Sequence, residues 1–226
     1  MENFFEYVPW IAMAVILGGT VLVAWRKSVA DQRRRQQWID QAKELGLTYQ
    51  EVLPPELDGV RHALPLLNNG SNRRSSNVIV AATDQLSLIL FDHQYTTGSG
   101  KNRSTHRQSV AWVYSSSLNL PTFYVAPETW LKRLGDQLFK RDIDFDDDPE
   151  FSRRIALSGP DRNVVSHFFD RSRRQKLLAI DLPTIEATTN GFLFYRPGKL
   201  IAPESLKSLM NEAFTLYQAF ASDQTA

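Results

Sequence analysis

The chain has 226 residues, a formal net charge of +1, 42% hydrophobic residues and no cysteine. The missing thiols exclude cysteine catalysis, disulfides and Cys-based zinc or iron–sulfur centres. So balanced a charge supplies no broad basic face, and no nucleic-acid partner is expected.

In chain order, the first feature is residues 7–25, which contain no Asp, Glu, Lys, Arg or His. As a helix rising ~1.5 Å per residue they would reach about 28 Å, close to the thickness of a bilayer's hydrocarbon. We therefore expect residues 1–25 to carry an N-terminal transmembrane helix that meets the lipid bilayer through residues 7–25. A cleaved leader would begin basic and end at a small-residue site, whereas Glu2 and Glu6 precede this run and Val23-Ala24-Trp25 closes it. Arg26, Lys27, Arg33, Arg34 and Arg35 all follow the run and no Lys or Arg precedes it. Cations resist translocation, so the expected topology is a single pass in the inner membrane, N-terminus outside and body cytoplasmic. Tyr7, Trp10 and Trp25 fall at the two headgroup levels that amphipathic rings prefer.

Residues 26–45 lack Gly and Pro and are rich in Gln, Arg, Lys, Ala and Glu, which predicts a basic helical stalk stopped by Gly46. Its Arg26, Lys27, Arg33, Arg34 and Arg35 would lie beside anionic lipid headgroups, each worth about 1 kcal/mol near the surface. The same residues serve as a plain topology signal.

Residues 46–222 read as one cytoplasmic α+β domain, with 223–226 a tail. "GLTYQEVL" is a short strand, and "NVIVAATDQLSLILFDHQYTT" with "STHRQSVAWVYSSS" predicts an antiparallel meander broken at Thr83-Asp84 and at 98–102. "PTFYVAP" is extended, and "PETWLKRLGDQLF" places Leu131, Leu134 and Leu138 at helical spacing. "FSRRIALSG" reads as a strand, followed by a helix from Pro160 with Val164, Val165, Phe168 and Phe169 on its apolar side. Asn190-Gly191 is a two-residue hairpin signal. From Pro203, Leu206, Leu209, Met210, Ala213, Tyr217 and Phe220 recur as one face of a helix. The sum is a mainly antiparallel sheet packed with about three helices.

Three stretches invite chemistry. The GSGK of "TTGSGKN" lacks the phosphate-loop pattern, because Tyr95 and Asn102 stand where a Gly and a Ser or Thr belong. It reads as a hairpin tip. A turn about Ser99-Gly100 would set His93 opposite His106 and Asp92 opposite Arg107, a candidate metal pair without a third ligand. "RDIDFDDDPEF" gathers Asp142, Asp144, Asp146, Asp147, Asp148 and Glu150, but Asp147 and Arg153 occupy the Gly and Glu places of an EF-hand. That leaves a non-EF divalent site in the acidic loop 142–150, or carboxylates that cap N–H groups and meet arginines such as Arg141 and Arg153. The basic run Arg171 to Lys176 would close the helix begun near Pro160, against its dipole, or meet anionic lipid.

The segments "ILFDHQYTTGSGKNRSTHRQSVAWV", "LPTFYVAPE" and "DIDFDDDPEFSRRIALSGPD" resemble those of a family of bacterial single-pass membrane-anchored proteins with a soluble domain of unknown function. The resemblance runs over about residues 45–220. It implies architecture and supplies no activity, cofactor or site residue. The first expectation is thus a membrane-anchored protein whose cytoplasmic module binds an unidentified protein or ligand, with no catalytic activity, cofactor or metal assigned. The alternatives are a divalent-metal-dependent enzyme using the acidic loop or the His93/His106 pair, and a structural subunit of a membrane complex.

Overall fold

One helix, α1 (Glu2–Glu44), carries both the predicted apolar segment and the predicted stalk without interruption in the computed structural model, which describes residues 2–130 and 142–221. It stops where Gly46 takes φ +68°, a left-handed conformation that a Cβ would strain. There the Gly46 and Leu47 N–H groups donate back to the Lys43 and Ala42 carbonyls at 3.2 and 2.8 Å, satisfying carbonyls the helix end would otherwise orphan.

The chain then builds one eight-stranded sheet from β1 (Thr48–Gln50), β2 (Ser71–Ala82), β3 (Ser87–Thr97), β4 (Ser104–Tyr114), β5 (Phe123–Pro127), β6 (Ile155–Ser158), β7 (Thr184–Thr188) and β8 (Gly191–Tyr195). Its order is β1-β2-β3-β4-β8-β7-β5-β6 and every pairing is antiparallel. The helices are α2 (Pro55–Asp58), α3 (Pro65–Asn68), α4 (Pro149–Arg154), α5 (Arg162–Phe168), α6 (Arg171–Leu178) and α7 (Leu206–Ala221). The α+β class with an antiparallel sheet is therefore observed.

Both faces of the sheet are covered, which explains why its central strands read as nearly continuous apolar runs. Successive side chains of a strand point to opposite faces, so Leu88 and Leu90 of β3 enter one core and Ile89 and Phe91 the other. On the first face lie α7, through Leu206, Leu209, Leu216 and Phe220, and the inner end of α1, through Trp38 and Ala42. On the second, Leu57, Leu64, Leu66 and Leu67 close over Phe91, Val110, Trp112 and Leu193. The predicted stalk is thus no free spacer over its whole length, since Trp38 is fully buried.

Several local expectations shift. The β7–β8 loop is Thr189-Asn190, with Thr188 opposite Gly191. Gly191 belongs to the strand because a Cβ there would stand 2.6 Å from the Val113 carbonyl oxygen and 2.7 Å from the Trp112 ring. "FSRRIALSG" divides into α4 and β6. The helix from Pro160 is two helices, each started by an aspartate whose carboxylate accepts backbone N–H groups, Asp161 for α5 and Asp170 for α6. Val164 is exposed on α5, while Val165 and Phe169 are buried. Of the helix expected over 127–139, Glu128–Trp130 form a 3-10 turn and 131–139 lie outside the described residues.

Among the described residues, no helix is long and apolar enough to cross a membrane. The side chains described in α1 begin at Met13, so the described inner end of the 7–25 run spans only about 20 Å at ~1.5 Å per residue, short of a crossing. Residues 7–12, 14 and 16 of the predicted span lie outside the described side chains.

Because Trp38 fixes α1 in the first core, Trp38→Ala should cost about 3–5 kcal/mol. Urea unfolding of the full chain in detergent micelles checks this; a loss below about 1 kcal/mol would mean that α1 is only loosely seated.

Candidate functional site

The side chain that joins α1 to the sheet is Arg34. Its Nε and Nη2 donate to the two carboxylate oxygens of Asp92 on β3 at 2.7 and 2.9 Å, and its Nη1 donates to the Ile201 carbonyl at 2.8 Å. The Asp92 carboxylate, 4% exposed, also accepts from Asn77 Nδ2 at 2.8 Å and Ser109 Oγ at 2.7 Å. Asn77 reaches it from an irregularity in β2 between Ser76 and Ile79, where its φ is +54°, a conformation asparagine tolerates better than most residues. Arg34 also lies 5.5 Å from the Trp38 ring, one helical turn on. A forked guanidinium suits this site, and a lysine could not reproduce both bonds.

Outward from this pair, a groove of about 700 Å³ opens between α1 and the sheet. One side is α1 from Ala24 to Arg35. The other includes a row across three strands, Arg74 opposite Gln94 and Gln94 opposite Arg107. Arg107 Nη2 donates to Asp31 Oδ1 at 2.8 Å, and Arg35 pairs with Glu51.

The opposite face holds a second polar group. Glu186 on β7 is 1% exposed. Its oxygens accept the Leu66 N–H at 3.1 and 3.0 Å and the Tyr195 hydroxyl at 3.0 Å. Burial pushes its carboxyl up to about 7, although these two bonds pull the other way. His93 on β3 is equally buried, and its Nδ1 lies 3.0 Å from Ser75 Oγ. Burial, helped by the Arg61 and Arg73 charges, lowers the imidazole to about 4. A hydroxyl beside an imidazole has the outline of a nucleophile and base, but this ring is buried and its burial disfavours the protonated form a general base must reach, and among the described residues its Nε2 meets no orienting carboxylate.

The structure separates the histidines expected to face each other. Thr97 pairs with Ser104, so the loop runs from Gly98 to Arg103 and the register places His93 opposite Gln108, Asp92 opposite Ser109 and His106 opposite Tyr95. A 3-10 turn at Gly100–Asn102 lengthens the connection and shifts the pairing by two residues. Tyr95 stacks on His106 at 4.9 Å, and His106 Nε2 is taken up by Thr97 Oγ1 at 2.8 Å. Most of the acidic stretch is tied down in the same way, while Asp144 and Asp146 are exposed. Asp142 accepts from the Ile143 and Leu157 N–H groups, Asp148 starts α4 and pairs with Arg174, Asp147 also pairs with Arg174, and Glu150 pairs with Arg154. Among the described residues, no three His, Asp or Glu side chains converge as a metal centre would need. The run Arg171 to Lys176 opens α6 and does not close a longer helix; its Arg173 and Arg174 are buried, Arg174 against Asp147 and Asp148. Arg34, expected near headgroups, points inward instead.

The residues that matter most were weakly signalled. Asp92 and Glu186 are single acids inside apolar strands, a pattern that calls for buried partners, but nothing local names those partners.

These features define a class, an α+β body built around the inner half of one long helix, with a polar groove alongside. Among solved structures, the chain is similar to the crystal structure of the mycobacterial trehalose monomycolate transport factor A, TtfA. The identity is 14% and the TM-score 0.51, over 84% of this chain and 91% of that one. At that identity the likeness shows a shared fold. No family model and no curated protein matches the sequence.

Arg34→Ala should destabilise the chain by about 3–5 kcal/mol, because Asp92 is left buried without its cation. An Arg34→Met/Asp92→Leu double variant should lose clearly less, and thermal unfolding of the three chains checks the order.

Glu186 and His93 should oppose each other with pH. A carboxyl raised from 4.5 to about 7 contributes stability that is full below pH 4.5 and lost as pH rises through 7. An imidazole lowered from 6.5 to about 4 contributes stability that is present above pH 6.5 and lost as pH falls through 4. Glu186→Gln should therefore uncover stability that rises with pH between 4 and 6.5, and His93→Gln stability that falls between 4.5 and 7, each by about 2–3 kcal/mol. Urea midpoints across that range would read both slopes, and flat profiles in both variants would contradict the assignment.

Proposed function

We propose that the protein is a single-pass inner-membrane protein of the anchored bacterial type that its segments resemble. Residues 7–25 are its anchor, the N-terminus is outside, and the α+β body is a cytoplasmic binding module without catalytic activity. The observation that carries this reading is the outer part of α1. Val15, Val21 and Val23 are each 68% exposed and Trp25 62%, with Met13, Leu17 and Leu22 also uncovered by the protein. A run of large apolar side chains open on all sides of a helix is costly in water and at home in lipid. Arg26, Lys27 and Arg33, exposed just beyond it, supply the inner-side cations.

The metal-dependent alternative draws little support, since the histidine pair is split by register and Asp142, Asp147, Asp148 and Glu150 are engaged in caps and ion pairs, with no three acids or histidines converging among the described residues. A second reading, an accessory role in transport, is favoured by the fold shared with the mycobacterial transport factor. Both readings need a partner beside the bilayer.

In cells, the full chain should stay with membranes through an alkaline carbonate wash, and a chain starting at Arg26 should be released. Protease added outside intact cells should leave the body whole. Release of the full chain by carbonate, or digestion of the body from outside, contradicts the proposal.

A further inference from the structure

We propose that the groove between α1 and strands β2–β4 binds the phosphate of an anionic phospholipid headgroup. This rests on the membrane reading above and goes beyond a diffuse basic neck to a shaped site.

The ion pairs align helix and sheet. Arg34 meets Asp92, and three residues back along α1 Asp31 meets Arg107, whose strand neighbour is Gln94, two residues on along β3. Three helical residues rise ~4.5 Å and two strand residues ~6.8 Å, so α1 and β3 run side by side. Extending both, Thr97 lies ~17 Å beyond Asp92 and Trp25 ~13.5 Å beyond Arg34. The groove, whose lining reaches Ala24 on α1, therefore ends beside Trp25 at the level of the headgroups.

The chemistry of the sheet changes along the same direction. Its α1-facing positions on β3 run Leu88, Leu90, Asp92, Gln94, from the core into the groove. Four cations line the groove, Lys27, Arg35, Arg74 and Arg107, against two carboxylates, Asp31 and Glu51. Those two carboxylates are engaged by Arg107 and Arg35, and among the described residues Lys27 and Arg74 meet no carboxylate. Lys101 and Arg103 stand exposed at the β3–β4 turn. Arg74 lies in one row with the ion-paired Arg107, with only Gln94 between them, and its own charge is the one in that row an anion in the groove would meet. Soluble phosphate shares this chemistry, but the level of the groove against Trp25 assigns the anion to a lipid.

The test uses the full chain in nanodiscs of phosphatidylcholine with a minor share of phosphatidylglycerol, followed by mild delipidation and native mass spectrometry of the lipid retained. Wild type should retain phosphatidylglycerol severalfold above its share. Lys27→Gln/Arg74→Gln should remove most of that severalfold preference, bringing the retained share close to that of the disc, with thermal unfolding unchanged. Arg26→Gln/Arg33→Gln, outside the groove, should lower it far less. No enrichment in wild type, equal losses in the two double variants, or displacement by inorganic phosphate at matched concentration would overturn the site. A chain that fails to co-purify with discs would overturn the anchor reading itself, a separate and visible outcome.

Discussion

The bidentate pair between Arg34 and Asp92 is the constraint on which the rest of the structure depends. A long helix leaving a body would ordinarily pivot where its packing ends. Here the last apolar anchor, Trp38, is followed one turn outward by a guanidinium whose Nε, Nη1 and Nη2 all donate into the sheet side. Two charges withdrawn from water attract strongly only if their remaining bonds are satisfied, and Asn77, Ser109 and the Ile201 carbonyl complete them. The helix is thereby part of the domain.

From that junction the two directions along α1 have different characters. Inward, Trp38 and Ala42 join an apolar core shared with α7 and the phenylalanines of β8, which fixes the helix by burial. Outward, the sheet face it follows becomes polar, and salt bridges at Asp31 and Glu51 replace packing. Such pairs add little stability at partly exposed positions. Their effect is spatial, holding a groove open between two rigid walls that meet at the buried pair.

Much of this architecture was legible in the chain. An uncharged run followed by a Gly-free polar stretch and Gly46 predicts one long helix and its end, because backbone conformation there is decided locally. The β2–β4 meander and α7 follow from periodicity in the same way. What failed depended on distant partners or a single turn. The six residues between Thr97 and Ser104 accommodate a 3-10 turn that moved the register by two positions. Asp170, one acid just ahead of a run of basic residues, started a second helix where periodicity suggested one. Gly191 resembled a turn glycine but is required by the Trp112 ring packed against it. The Arg34–Asp92 pair spans 58 residues of sequence, and no local pattern marks two residues so far apart as partners.

Whether helix and body move as one is the central claim, and the absence of native cysteine makes it directly measurable. With Ser28→Cys and Asn102→Cys spin-labelled in lipid nanodiscs, pulsed electron–electron resonance should give one narrow distance distribution, broadened when Arg34→Ala is added. A broad distribution in the otherwise native chain, unaffected by Arg34→Ala, would show that α1 swings freely of the sheet and would contradict the account.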